Sequence, residues 1–466
     1  MPSLSRQLAQ WTATLRYEDL PPAVVDRAKG VTLQAITSVL IGSQSRAGQQ
    51  AIKLITDEEL GVRNGATILV DGRKVTKGGA GFANSEMAFS GGKWDTFRML
   101  THPGTSIIPA ALVAAETTGA TGKDYITAVA AAYEVMERLA SDFIPTVMSR
   151  GFHAGPVFGI FGAAIAAAKI MRLDEEQTNS VIALCASLAS SNLEGPRSGG
   201  RALREGAAVR NALLAVALAQ QGHVGGETVL EGEAGFYHAY TGSNKGELTY
   251  SFVGDTRTSL AKITAGLGKE WLFLETLYRI YSTAGYNIAH IAVTAQLCEE
   301  RGIRYEDVER IEAVVNWLET QYPSPAFPVR REDKNDKPGG TAYHAAYGVV
   351  KRGFPITNSW EKDQPREPDP PEVLDLMKRV TIIPSHTMGL FAPRITIFTR
   401  DGKSHTRQAT GREFIWDYEE QVRRIRDVAP VLPIAVGQYD ELIAACRTLE
   451  RAERADVLVG LTLKKR

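Results

Sequence analysis

The sequence predicts a mainly α protein: a large all-helical domain with a smaller α+β domain inserted into it. Three observations lead there. Up to about residue 264, apolar residues recur at helical spacing and long stretches are rich in alanine. Near residue 265 the pattern changes to short alternating runs mixed with helices, the signature of an α+β region. After about Arg412 helical spacing returns. A chain that returns to its first pattern completes its first domain. Residues 1–264 and 413–466 are therefore read as one helical domain and 265–412 as the insertion.

The elements follow in order. "LPPAVVDRAKGVTLQAITSVLIG" has prolines suited to an entry turn and apolar residues at helical spacing up to Gly42. "GATILVDGRKVT" alternates around Asp71-Gly72, a small hairpin. From Pro109 to about Ser190 the pattern is helical and alanine-rich, clearest in "KDYITAVAAAYEVMERLASDF" and "GIFGAAIAAAKIMRL". Such small side chains let helices approach closely. Helix continues through "GRALREGAAVRNALLAVALAQQG". In the insertion, Ile311, Ala313, Val315 and Trp317 alternate as a strand, followed by "KRVTIIPS" and by a hairpin turning at Asp401-Gly402. Helices are expected at "STAGYNIAHIAVTAQLCEERG" and "GTAYHAAYGVVKRG", and again at "YDELIAACRTLERAE".

Composition narrows the function classes. The 466 residues are 44% hydrophobic, so a large core is expected. Lys+Arg and Asp+Glu number 53 each, and this balance argues against nucleic acid or a membrane surface as partner. The three cysteines, Cys185, Cys298 and Cys446, are far apart with no CxxC, so each reads as a buried small hydrophobe. The N-terminus lacks the apolar region of a signal peptide, and no window is apolar enough to span a bilayer, because residues such as Glu137, Arg138, Lys169 and Arg172 interrupt. A cytoplasmic protein is expected.

Phosphate-loop, dinucleotide-binding, zincin and nucleophile-elbow motifs are all missing from the sequence. No histidine pair has metal-ligand spacing on one helix, so a metal would need ligands gathered from distant segments, and none is expected. Two of the eight histidines share a local pattern. His102 precedes Pro103-Gly104 and His153 lies between Gly151 and Gly155, each just ahead of a helix. For the first, the helix is expected to begin at Thr105-Ser106 or at Ile108-Pro109. An imidazole so placed can exchange protons near neutral pH. Ser198-Gly199-Gly200 before Arg201 form a third candidate, a helix start with an arginine suited to holding a carboxylate. Arg279, Tyr281, Tyr286 and Tyr322 gather in the α+β part. His223, His238, His290, His344, His386 and His405 are read as structural, with His405 on an exposed hairpin.

Several segments together resemble the MmgE/PrpD family, which includes 2-methylcitrate dehydratase, cis-aconitate decarboxylase and iminodisuccinate epimerase. They are "GATILVDGRKVT", "FANSEMA", "DTFRMLTHPGTSIIPAALVAAE", "GFHAGPVFGIFGAAIAAAKIMRLDEEQ", "REGAAVRNALLAVALAQQG", "VLEGEAGF" and "YPSPAF". The resemblance spans nearly the whole chain. It implies a helical domain completed by the C-terminus, a smaller α+β lid, a homodimer, a small-molecule carboxylate substrate and no cofactor. The family's active-site histidines fall on His102 and His153. Its "DFDDT" element falls on residues 92–96, keeping Asp95 and Thr96 but placing Gly92 at the first aspartate. Two family lysines become Arg201 and Arg279, while Tyr281 is kept. Arginine does not shuttle protons but does clamp anions.

The implied chemistry is a lyase of dehydratase or decarboxylase type, moving a proton at a carbon next to a carboxylate. His102, His153, Asp95 and Tyr322 are the catalytic candidates. Thr96, Arg201, Arg279 and Tyr281 are the substrate-binding ones. Asp95 is expected to orient a histidine or a substrate hydroxyl. The alternatives are a two-base epimerase and a non-catalytic acid-binding protein.

Overall fold

The computed structural model describes residues 2–197, 205–281, 283–322, 324–327, 338–355 and 368–464. The chain divides into two compact units. The first comprises Met1–Leu248, Arg257–Ile280 and Ile415–Arg466; the second comprises Thr249–Thr256 and Tyr281–Phe414. The protein is mainly α, with small sheets.

The first unit opens with α1 (Leu4–Thr14), α2 (Pro22–Gly42) and α3 (Arg46–Glu59). The hairpin expected around Asp71-Gly72 forms as β1 (Ala66–Thr67) and β2 (Lys74–Val75). Next come α4 (Lys77–Ser90), β3 (Trp94–Thr96), α5 (Gly104–Thr118), α6 (Gly122–Ala140) and α7 (Ile144–Ser149). They are followed by α8 (Ala154–Ile170), α9 (Glu175–Leu188), α10 (Glu194–Arg197), α11 (Glu205–Gln220), α12 (Phe236–Thr241) and β4 (Leu277–Arg279).

Helix α8 is the axis of this unit. All its residues except Lys169 are buried, and it packs on α5, α6, α9 and α11. Close approach depends on its glycines. A Cβ on Gly159 would lie 2.8 Å from Ser106 Oγ, and one on Gly162 would lie 2.8 Å from Ile107 Cδ1. These contacts set the early turns of α5 directly against α8.

Helix α5 starts at Gly104, and Pro109 lies inside it rather than at its start. Proline cannot donate to the carbonyl four residues back. Here that carbonyl, of Thr105, accepts from Ser85 Oγ at 2.7 Å, so the lost bond is replaced.

The second unit holds α13 (Gly285–Arg301), β5 (Val308–Asn316), α14 (Thr341–Lys351), α15 (Pro371–Leu376), β6 (Val380–Ser385), β7 (Arg394–Thr399) and β8 (Ser404–Gln408). The sheet order is β6-β5-β7-β8, with β5 parallel to β6 and antiparallel to β7. Ile311, Ala313 and Val315 of β5 join Ile395 and Ile397 of β7 and the apolar sides of α13 and α14 in one core. His405 on β8 is half-buried, not exposed as expected, because its side chain falls on the inner phase of the strand's alternation.

The chain then returns to the first unit as α16 (Tyr418–Ile425), α17 (Val436–Arg447) and α18 (Val457–Thr462). These dock on α2. Gln421 Nε2 donates to Gly30 O at 2.8 Å, and Tyr439 OH bonds Thr37 Oγ1 at 2.9 Å. The three cysteines are buried and free.

Candidate active site

His102 sits on a turn that the sequence folds tightly. Arg98 (φ 52°) and Leu100 (φ 61°) take left-handed conformations, and Phe97 bridges back to Thr101. Asp95 holds the far side of this turn. Its two carboxylate oxygens each accept from Gly104 N–H at 3.0 Å, and Tyr133 OH donates to one of them. The backbone carbonyl of Asp95 lies 2.9 Å from His102 Nδ1. A carbonyl only accepts, so Nδ1 carries the proton. The neutral ring therefore presents Nε2 as a lone pair, the form of a base. Thr96 Oγ1 lies 3.3 Å from the same Nδ1.

Burial pushes the Asp95 carboxyl up to about 6, against the opposing hydrogen bonds from Tyr133 and Gly104. A folded-state value above the unfolded one means that Asp95 binds a proton more tightly in the native protein. Its contribution to stability is complete below about pH 3.8 and is lost as pH rises through about 6. The isosteric Asp95→Asn variant lacks this titration. Its melting temperature, relative to the wild type, should climb between pH 4 and pH 6.5 and then level off. A difference that stays constant across that range would contradict a buried, protonatable Asp95.

His153 is the N-cap of α8. Its own N–H donates to Ser191 O at 3.3 Å, and its Nδ1 accepts from Gly155 N–H at 3.2 Å. Nδ1 is therefore the unprotonated nitrogen, and the neutral ring carries its proton on Nε2. The two histidines thus hold opposite tautomers, each fixed by a backbone group. A Cβ on Gly155 would meet His153 Cε1 at 3.0 Å and Glu205 Oε1 at 2.7 Å, which places the buried Glu205 carboxylate beside this ring. Gly155→Ala should displace the imidazole while leaving the helix intact. Because a misplacement near 1 Å can cost ~100-fold, kcat should fall by about that factor with little change in melting temperature. Unchanged kcat would mean that the ring's position is immaterial.

The surrounding helices tie these two positions together. Ser85 and Glu86 are neighbours on α4. Ser85 bonds the first turn of α5, and Glu86 accepts from Gly206 N–H in the first turn of α11 at 3.2 Å. Glu205 in turn adjoins Gly155 at the start of α8. The N-terminal turns of α5, α8 and α11 therefore gather in one region of the first unit, with the positive ends of their dipoles there.

The pairing of β3 with β4 brings Arg279 opposite Trp94. The Arg279 guanidinium lies 4.5 Å from the Trp94 ring centroid, and the His102 ring lies 4.4 Å from the same indole. Phe89 stacks on Trp94 at 4.6 Å. Lys93, 1% exposed, precedes Trp94 and was not among the sequence candidates.

The other candidates are placed differently. Arg201, with Ser198-Gly199-Gly200, lies outside the described residues. Tyr281 and Tyr322 belong to the second unit, where Tyr281 stacks on Phe354 at 4.0 Å and Tyr322 faces Tyr286 at 6.3 Å. Among the described residues, no group of three His, Cys, Asp or Glu side chains is arranged to hold a metal.

Residues 6–249 match the MmgE/PrpD N-terminal domain. The chain belongs to the MmgE/PrpD family. Its relatives include the cis-aconitate decarboxylase-like protein oryM of Aspergillus oryzae, 27% identical over 297 residues, 61% of this chain and 59% of that protein. The cis-aconitate decarboxylase of Aspergillus terreus is 24% identical over 429 residues, covering 86% of this chain and 84% of its own. The human cis-aconitate decarboxylase is 24% identical over 408 residues, covering 82% and 78%. Among the described residues of this MmgE/PrpD protein, no helix is long and apolar enough to cross a membrane.

Proposed function

We propose that this MmgE/PrpD protein is a cofactor-independent lyase, of dehydratase or decarboxylase type, acting on a small di- or tricarboxylate. The observation that carries the reading is the opposite tautomers of His102 and His153, one offering a lone pair at Nε2 and the other a proton. In dehydration, His102 Nε2 takes the proton from a carbon next to a carboxylate. The bonding electrons move into that carboxylate, making it an aci-carboxylate, and the nearby Arg279 guanidinium stabilises the added charge. The electrons return to form the carbon–carbon double bond as the hydroxyl departs, taking the His153 Nε2 proton and leaving as water. In decarboxylation, the carbon–carbon bond breaks, CO2 leaves, and the His153 proton is delivered to the carbon that receives the electron pair.

The names of the relatives, which act on a tricarboxylate, favour a lyase. A paired acid and base would also serve a second reading, epimerisation, in which a proton returns to the opposite face. Proton NMR of a panel of di- and tricarboxylates in D2O with purified protein separates the two. New vinylic signals identify a lyase. Loss of the carbon-bound proton signal without a new compound identifies an epimerase. No change in any panel member would overturn both readings.

A further inference from the structure

Trp94 is the common neighbour of the base and the guanidinium. The His102 ring centroid lies 4.4 Å from that of the indole, and the Arg279 guanidinium carbon lies 4.5 Å from it. Strand pairing accounts for the second contact. Trp94 and Arg279 are direct partners in the antiparallel β3–β4 pair, and side chains so paired stand side by side. The indole is itself held from several sides. Its Nε1–H donates to Phe89 O at 2.9 Å, and the Phe89 ring stacks on it at 4.6 Å. Gln34 of α2 donates to the Trp94 carbonyl, and Gln34 Oε1 in turn accepts from Gln421 of α16 at 3.2 Å. The preceding N–H, of Lys93, donates to Ser38 Oγ at 3.1 Å. Trp94, His102 and Arg279 are all buried.

We propose that Trp94 is a positioning residue for the reaction: its indole is the shelf that sets the His102 ring and the Arg279 guanidinium in fixed relation to each other. The proposal rests on the lyase reading and goes further, in assigning a role to a residue that moves no proton and carries no charge. The Asp95 carbonyl and the Thr96 hydroxyl both meet His102 at one atom, Nδ1, and leave the tilt of the ring to what lies against it. A flat indole sets that tilt, and with it the direction in which Nε2 points. An arginine side chain has several rotatable bonds, and an aromatic ring beneath its guanidinium confines it by cation–π attraction. Charge developing in a transition state is stabilised best by groups already in place before the reaction begins. One anchored ring touching both groups therefore couples the point where the proton is taken to the point where the charge is neutralised.

The test compares wild type, Trp94→Phe and Trp94→Leu as full chains. Both variants lose the Nε1–H bond to Phe89, so their melting temperatures should fall by similar amounts; only leucine also loses the flat ring. The rate is measured with whichever polycarboxylate the wild type converts. Trp94→Phe should keep a tenth or more of wild-type kcat, whereas Trp94→Leu should lose about 100-fold, the cost of a misplacement near 1 Å. A second measurement needs no substrate. The Cε1 proton of His102, assigned by its absence in His102→Asn, should resonate upfield of a solvent-exposed histidine in the wild type, shielded by the indole, and move downfield in Trp94→Leu. Equal losses of kcat in the two variants, or a His102 resonance that does not move in Trp94→Leu, overturn this proposal alone, because a residue that only fills space behaves in that way. A wild type that converts no acid overturns the lyase reading and this proposal together.

Discussion

His102→Asn should lower kcat by about 10²–10⁴-fold, the usual worth of a positioned general base. Asparagine is the informative replacement. Its Nδ2–H can still donate to the Asp95 carbonyl, as His102 Nδ1 does now. The turn is preserved, and only the Nε2 lone pair is lost. The melting temperature should therefore stay close to that of the wild type. Turnover in D2O is read by NMR with whichever polycarboxylate the wild type converts. A variant that retains a tenth or more of wild-type kcat would remove His102 as the base.

His153→Asn should show a different defect. The asparagine Oδ1 can still accept from Gly155 N–H, and asparagine is a strong N-cap, so α8 should start as before. What disappears is the Nε2 proton. With a substrate bearing a proton next to its carboxylate, net conversion should fall by about 10²–10³-fold. Deuterium should still wash in at that carbon, because His102 still removes and returns the proton. His102→Asn should abolish both. If His153→Asn loses exchange and conversion equally, the two rings do not have separate roles.

The parts of this structure that were legible in the sequence are those with local signals. The apolar spacing of α2, α6 and α8, the Asp-Gly hairpins and the alternation in β5 all come from neighbours in the chain. His102 and His153 were legible as rings set before helices, because proline and glycine mark such turns. The pairing of β3 with β4 was not. Each strand has three residues, too few to show alternation, and the partners lie far apart in sequence. For that reason the closeness of Arg279 to Trp94 could not be read in advance. The burial of Lys93 was not legible either, because a lysine is ordinarily solvated. The role of Asp95 as anchor of Gly104 depends on Tyr133, two helical elements away, and no spacing rule links them. Pro109 misled for a related reason, since its helix is completed by a side chain from α4.

The central claim is that backbone contacts fix the two imidazoles in opposite protonation patterns. Nitrogen-15 NMR of histidine-labelled protein near pH 8, with each ring assigned by its asparagine variant, reads the tautomers directly. The structure predicts a proton on Nδ1 for His102 and on Nε2 for His153. Finding the same tautomer at both positions, or the reverse assignment, would contradict the account.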